Sequence, residues 1–194
     1  MDRVEVSTVV YLPAEDVYEF LLAFRRYANY SQYLESVRQF GDGGAGTEYA
    51  LRFEWWKLHY TARSAVTGVD PPRRIDWRII KDIDASGRWL IDPIEGAEGS
   101  VKQDAGGSSE EDTGGSAEGD ADRSSPKTEV TFIAEYAPGS ADDGIVDLPR
   151  FVSLGWVVEK IKPKIREEAE RIVRRVVADL EGEERDVELR IETA

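Results

Sequence analysis

Few side chains in this sequence could carry out chemistry, and those that could are scattered. The single histidine, His59, lies in an alternating stretch with His59, Thr61, Arg63 and Thr67 on one row and Tyr60, Ala62, Ser64 and Val66 on the other. It belongs to the polar row, which reads as surface rather than as a general base. Asp76, Arg78 and Arg63 fall on that same outer face and read as cross-strand charge pairing. Glu159 and Arg166 sit on or near a long helical stretch, where a solvated face and a cavity wall are both open readings. The run GDGGAG at residues 41–46 lies between strands, not between a strand and a helix, so it lacks the setting of a phosphate-binding loop. Cysteine is absent, which excludes thiolate nucleophiles, disulfides and cysteine metal sites. One histidine excludes a multi-histidine zinc site. No catalytic residue, metal or cofactor is therefore expected. Ser64 stands apart, because it is a hydroxyl inside an apolar row and could orient the polar end of a ligand.

The elements that would hold these residues can be read from periodicity. Residues 4–11 alternate and are rich in β-branched side chains, as a strand requires. A helix then starts at Pro13 and Ala14, with Glu15 and Asp16 in its first turn, where the helix dipole favours acids. Val17, Phe20, Leu21 and Phe24 form its apolar face, and a second short helix or turn carries Tyr27, Tyr30 and Tyr33. Strands are predicted at 37–40, 47–56, 58–69, 73–80, 87–94 and 128–136, mostly joined by short turns, which implies antiparallel pairing. The longest helix begins near Asp147 and ends at Gly182, a suitable C-cap, and Pro163 should bend or divide it. A single domain is expected over residues 1–182. Within it, residues 95–127 are almost free of large apolar side chains and read as a disordered, acidic, Gly/Ser-rich hairpin insertion. The tail, residues 183–194, alternates at Val187, Leu189 and Ile191, as a short added strand or a frayed terminus would.

Laid out row by row, the strands separate into two faces. Tyr49, Leu51, Phe53, Ile75, Trp77, Trp89, Ile91, Val130 and Phe132 share one; most charged residues share the other. The apolar face needs a cover, and the last helix offers Phe151, Leu154, Val158, Ile161, Ile165, Ile172 and Val176 at helical spacing. Small residues at Ala62, Ser64 and Gly155 either leave a void there or let the helix pack closer. The expected ligand-binding set is Tyr49, Phe53, Ala62, Ser64, Trp77, Trp89, Phe132, Phe151 and Leu154.

This order of elements, with YLPAEDVYEFLLAFRRYANY at residues 11–30, resembles the helix-grip fold of the START-like, or SRPBCC, superfamily. Within it, the polyketide cyclase/dehydrase and coenzyme Q-binding families are the most similar. The resemblance implies an α+β fold in which a curved antiparallel sheet grips the C-terminal helix around a hydrophobic cavity. It implies a binding or transport role for a lipid, an isoprenoid quinone or a polyketide-like molecule. An aromatase/cyclase-type enzyme and a ligand-free interaction module are the alternatives.

Composition narrows the partners. Asp and Glu number 39 against 25 Lys and Arg, a net charge of -14, so the overall field repels nucleic acid. The acid excess, the scarcity of Lys beside Arg and the absence of Cys point to a cytoplasmic protein of a salt-accumulating cell, a halophilic archaeon; an acidic protein of a mesophile is the alternative. The first residues lack a signal-peptide pattern and no apolar run is long enough to span a bilayer, so membrane contact would be transient.

Overall fold

The computed structural model describes residues 1–55, 58–81, 83–94, 126–137, 140 and 154–193, with the backbone alone at 55, 58, 154–166 and 193. Strand β1 (Asp2–Val10) leads into helix α1 (Ala14–Leu22) and a 3-10 helix (Phe24–Asn29). Strands β2 (Leu34–Phe40), β3 (Glu48–Trp55), β4 (Leu58–Asp70), β5 (Arg74–Ile79), β6 (Ala85–Pro93) and β7 (Thr128–Tyr136) follow. The chain ends with helix α2 (Leu154–Glu181) and strand β8 (Arg190–Thr193). The strands make one sheet in the order β2-β3-β4-β5-β6-β7-β1-β8, every neighbouring pair antiparallel. This is the α+β, helix-grip layout that the family resemblance implied.

Local chemistry explains the boundaries. Pro13 at φ -59° precedes α1, and Glu15 and Asp16 occupy its first turn. Gly182, at φ +78°, ends α2 in the left-handed conformation that favours glycine, and its N–H reaches the Ala178 carbonyl at 2.9 Å. Residue 94 and residue 127 meet where the insertion leaves and rejoins the sheet, with the Ile94 N–H donating to the Lys127 carbonyl at 2.8 Å. The insertion itself, expected to be disordered, lies outside the described residues apart from its last positions.

Some sequence expectations need correction. Pro163 does not divide the last helix, which runs unbroken from Leu154 to Glu181; its predicted start near Asp147 lies outside the described residues. Phe24 does not lie in α1 but opens the 3-10 helix, where it is still buried in the same core. Strand β6 starts at Ala85, so two residues assigned to its preceding turn pair with β7 instead.

The core lies where the sheet, α1, the 3-10 helix and the C-terminal half of α2 meet. Ile75 and Ile91 are fully buried, Val17 and Val177 are 1 % exposed, and Ile172, Val173, Val176 and Leu180 pack against them. Burying side chains of this size stabilises by roughly 1.5–3 kcal/mol each before ordering entropy is subtracted.

Candidate ligand-binding site

The inner face of the sheet carries a continuous run of rings. Tyr49 packs on Phe24 at 4.8 Å between ring centres, and Phe24 on Tyr27 at 5.1 Å. Tyr27 meets Trp89 edge-on at 6.5 Å, Trp89 lies 4.6 Å from Phe132, and Phe132 stacks with Trp77 at 5.7 Å and 8°. Register explains the assembly: Ile75 pairs with Trp89, Trp89 with Phe132, and Trp77 with Gly87, all pointing to one side. The crowded rings of the first helices thus divide. Tyr18, Phe20, Phe24 and Tyr30 are buried in the core, whereas Tyr27 links that core to the rings on the sheet.

The predicted residues fall as follows. Trp77, Trp89 and Phe132 touch one another, and Tyr49 joins them through Phe24 and Tyr27. Phe53 and Ser64 are half-buried in the same inner rows, and Ser64 pairs with Tyr49 on one side and Ile79 on the other. Ala62 is 6 % exposed and pairs with Leu51. Phe151 lies outside the described residues, as do the side chains of Leu154, Glu159 and Arg166. Tyr27 and Phe24 adjoin this wall as well; the resemblance implied that rings of the first helices would sit at one end of a cavity, some as core and some at its mouth, but spacing alone did not single out these two.

Polarity on this wall is sparse. The Tyr27 hydroxyl donates to the Leu21 carbonyl at 2.6 Å. The Tyr49 hydroxyl is buried and has no hydrogen-bond partner among the described residues. Burial first, then the charge of Asp42, pushes the Tyr49 pKa up, so the group is a neutral donor at physiological pH. The outer-face candidates are surface groups: His59 is exposed 4.0 Å from Glu54, and Arg63 pairs with Glu48 on the neighbouring strand at 2.9 Å. Cross-strand pairing fails for Asp76, whose partner is Arg74 two residues away on its own strand, and for Arg78, which has no ion pair among the described residues. Among the described residues no cluster of acids and histidine could hold a metal ion. No helix there is long and apolar enough to cross a membrane.

A polar clamp holds the C-terminal half of α2 beside these rings. Glu168, 7 % exposed, accepts from the Ser31 hydroxyl, the Gln32 N–H and Arg171, each at 2.8 Å. The Tyr30 hydroxyl donates to Asp179, and Arg175 donates to the Tyr30 carbonyl at 3.2 Å. Glu181 accepts from the Tyr11 N–H at 2.8 Å and from Arg185, whose guanidinium lies 4.2 Å over the Tyr11 ring.

The clamp and the ring cluster give the fold a defined alkaline limit. Burial, then the hydrogen bond to Asp179, pushes the Tyr30 pKa up from 10.0 to about 12. Burial also raises Tyr18, Tyr27 and Tyr49. A folded-state pKa above the unfolded value stabilises fully below the unfolded value and loses that stability as pH rises through the folded one. The unfolding midpoint should therefore fall between pH 10.0 and about 12, together with late phenolate absorbance, and Tyr30→Phe should make the fall shallower. Four tyrosines that titrate like free phenol without unfolding would contradict this.

A search of curated proteins found no match. Among solved structures the chain is similar to the Zhui aromatase/cyclase of Streptomyces sp. R1128, at a TM-score of 0.56 and 15% identity, covering 93% of this chain and 94% of that one. It is also similar to TTHA0849 of Thermus thermophilus, at 0.55 and 14%, covering 93% and 97%. A third, the di-domain ARO/CYC StfQ from the steffimycin biosynthetic pathway, matches at 0.53 and 12%, over 93% of this chain and 51% of that one. Identities this low establish a shared fold alone. Family membership rests on the sequence, which matches along residues 1–177, and by that match the chain belongs to the polyketide cyclase/dehydrase and lipid transport family.

Proposed function

We propose that this chain binds a hydrophobic small molecule, polyketide-like or lipid-like, against the ring-lined inner face of its sheet. One observation carries the reading. Phe53, Trp77, Trp89 and Phe132 point to the side that the helices cover, yet each is only half-buried, while Ile75 and Ile91 in the same sheet are sealed completely. Rings left partly uncovered on an inward face suit an apolar ligand with few polar contacts. Ser64 and Tyr49, opposed across β3 and β4, would meet its polar end.

A neutral fluorescent probe, N-phenyl-1-naphthylamine, tests this directly. Saturable uptake with a blue-shifted emission is expected. Ser64→Phe, at a half-buried inner position, should lower the affinity at least tenfold and leave the unfolding midpoint near that of the wild type. In a filled core the same change would overpack and cost roughly 1–3 kcal/mol. No uptake by the wild type would remove the binding reading and leave the interaction module in its place.

The Tyr49 hydroxyl favours a second reading, an aromatase/cyclase. A buried neutral donor without a partner among the described residues can polarise a ligand carbonyl, although it cannot serve as a base at neutral pH. A cyclase would turn a linear poly-β-ketone thioester into a ring product at a rate that falls in Tyr49→Phe. A carrier would return the thioester unchanged.

A further inference from the structure

The opposite, solvated face of the sheet holds a depression of about 360 Å³, bordered by outward side chains and by the strands at Trp77 and Gly87. Its rim includes Thr67, Arg74, Asp76, Arg78, Ser86 and Arg88. One feature of the strands helps to open it: a bulge at Thr67 interrupts the β4–β5 register and sets Gly68, which carries no side chain, opposite Asp76.

The charge arrangement inside is uneven. Asp76 is flanked by Arg74 and Arg78 on its own strand and faces Arg88 across β6. Its carboxylate is committed to one of the three, since the Arg74 Nε lies 2.9 Å from each of its oxygens. Glu135, opposite Ser86, is taken by Arg3 at 3.6 Å. Arg78 and Arg88 have no ion-pair or hydrogen-bond partner among the described residues. The outer-face arginines on either side, Arg3, Arg52 and Arg63, are each paired with a glutamate. Two unpaired guanidinium forks thus border one cavity together with the hydroxyls of Thr67 and Ser86, in a chain of net charge -14.

We propose that this depression binds a phosphate group carried on a small organic molecule. A carboxylate is satisfied by one guanidinium fork, whereas a phosphate offers enough acceptor oxygens for two forks on different strands and two hydroxyls. The volume exceeds what phosphate alone fills, and Ile133 at its border gives an organic group something to rest on. A nucleic acid is the wrong occupant. The adjoining depression is lined by Glu5, Glu129 and Glu192 around the lone Arg190 and would repel a second phosphate along the strand.

The test uses the full chain labelled with nitrogen-15, titrated with phenyl phosphate and with inorganic phosphate at ionic strength fixed by chloride. Both should give saturable amide shifts centred on Gly68, Gly87 and Arg88, with phenyl phosphate at least threefold tighter. Equal affinities would support the phosphate site but assign it to free phosphate. Arg78→Gln with Arg88→Gln should weaken binding at least tenfold without altering uptake of the apolar probe. Arg78→Lys with Arg88→Lys, which keeps the charge and the fold but loses both forks, should weaken it three- to tenfold. Arg190→Gln should change nothing. Absent or diffuse shifts overturn the proposal, as does unchanged binding in the arginine variants.

Discussion

Glu168→Ala is expected to destabilise the protein by about 2–4 kcal/mol in urea unfolding, an effect out of proportion to a glutamate on a helix. The side chain is 7 % exposed and is the common acceptor for the Ser31 hydroxyl, the Gln32 N–H and Arg171. Removing it strands two donors in a part-buried site, and an unmade hydrogen bond there costs about 1–3 kcal/mol. Ser31 also accepts from the N–H groups of Tyr33 and Leu34, so the loss spreads into the start of β2. Glu168→Gln keeps an acceptor for the loop and gives up chiefly the ion pair with the more exposed Arg171, so it should lose only about 1 kcal/mol. A loss below about 1 kcal/mol for the alanine variant would mean that the clamp does not hold the helix.

Nothing in the sequence announced Glu168. It sits in REEAERIVRR, where acids and arginines alternate as they do on any solvated helix face. Its burial depends on Ser31 and Gln32, more than a hundred residues away in sequence, and periodicity carries no information about such a partner. The same limit explains Asp76. Its face was legible, but its choice of Arg74 over the cross-strand Arg88 was not, because that choice is made by rotamers.

What was legible came from alternation and from helix signals. The inner rows of β3, β5 and β7 emerge in the register that strict alternation predicts. Strand β4 departs from it at one point. Continued alternation would send Val69 outward with His59 and Arg63, but the bulge at Thr67 shifts the phase and turns Val69 onto the core opposite Ile75. The extra residue allows a strand of 13 residues to keep its apolar side inward at both ends.

Gly87→Ala is expected to be the most damaging single-methyl change on the sheet, costing about 2–4 kcal/mol and disturbing the ring wall at the same time. A Cβ at this position would press on the Ile133 carbonyl oxygen and lie 2.5 Å from Cζ2 and 2.9 Å from Cε2 of Trp77. The carbonyl belongs to the backbone of the paired strand and cannot move aside, so the strain must be taken up by β6 or by the ring. Trp77 lies over the glycine because the position is empty, and from there it stacks on Phe132. Displacing it breaks the stack and changes the end of the surface proposed to receive the ligand. The variant should therefore show a lower unfolding midpoint and altered tryptophan emission. It should also bind the neutral probe less tightly even at temperatures where it remains folded. A replacement on the opposite face of the same strand, Arg88→Gln, should spare all three properties, because it touches neither the ring nor the carbonyl. If Gly87→Ala unfolded like the wild type and kept its tryptophan emission, the close approach of Trp77 to β6 would be refuted, and with it this end of the ligand wall.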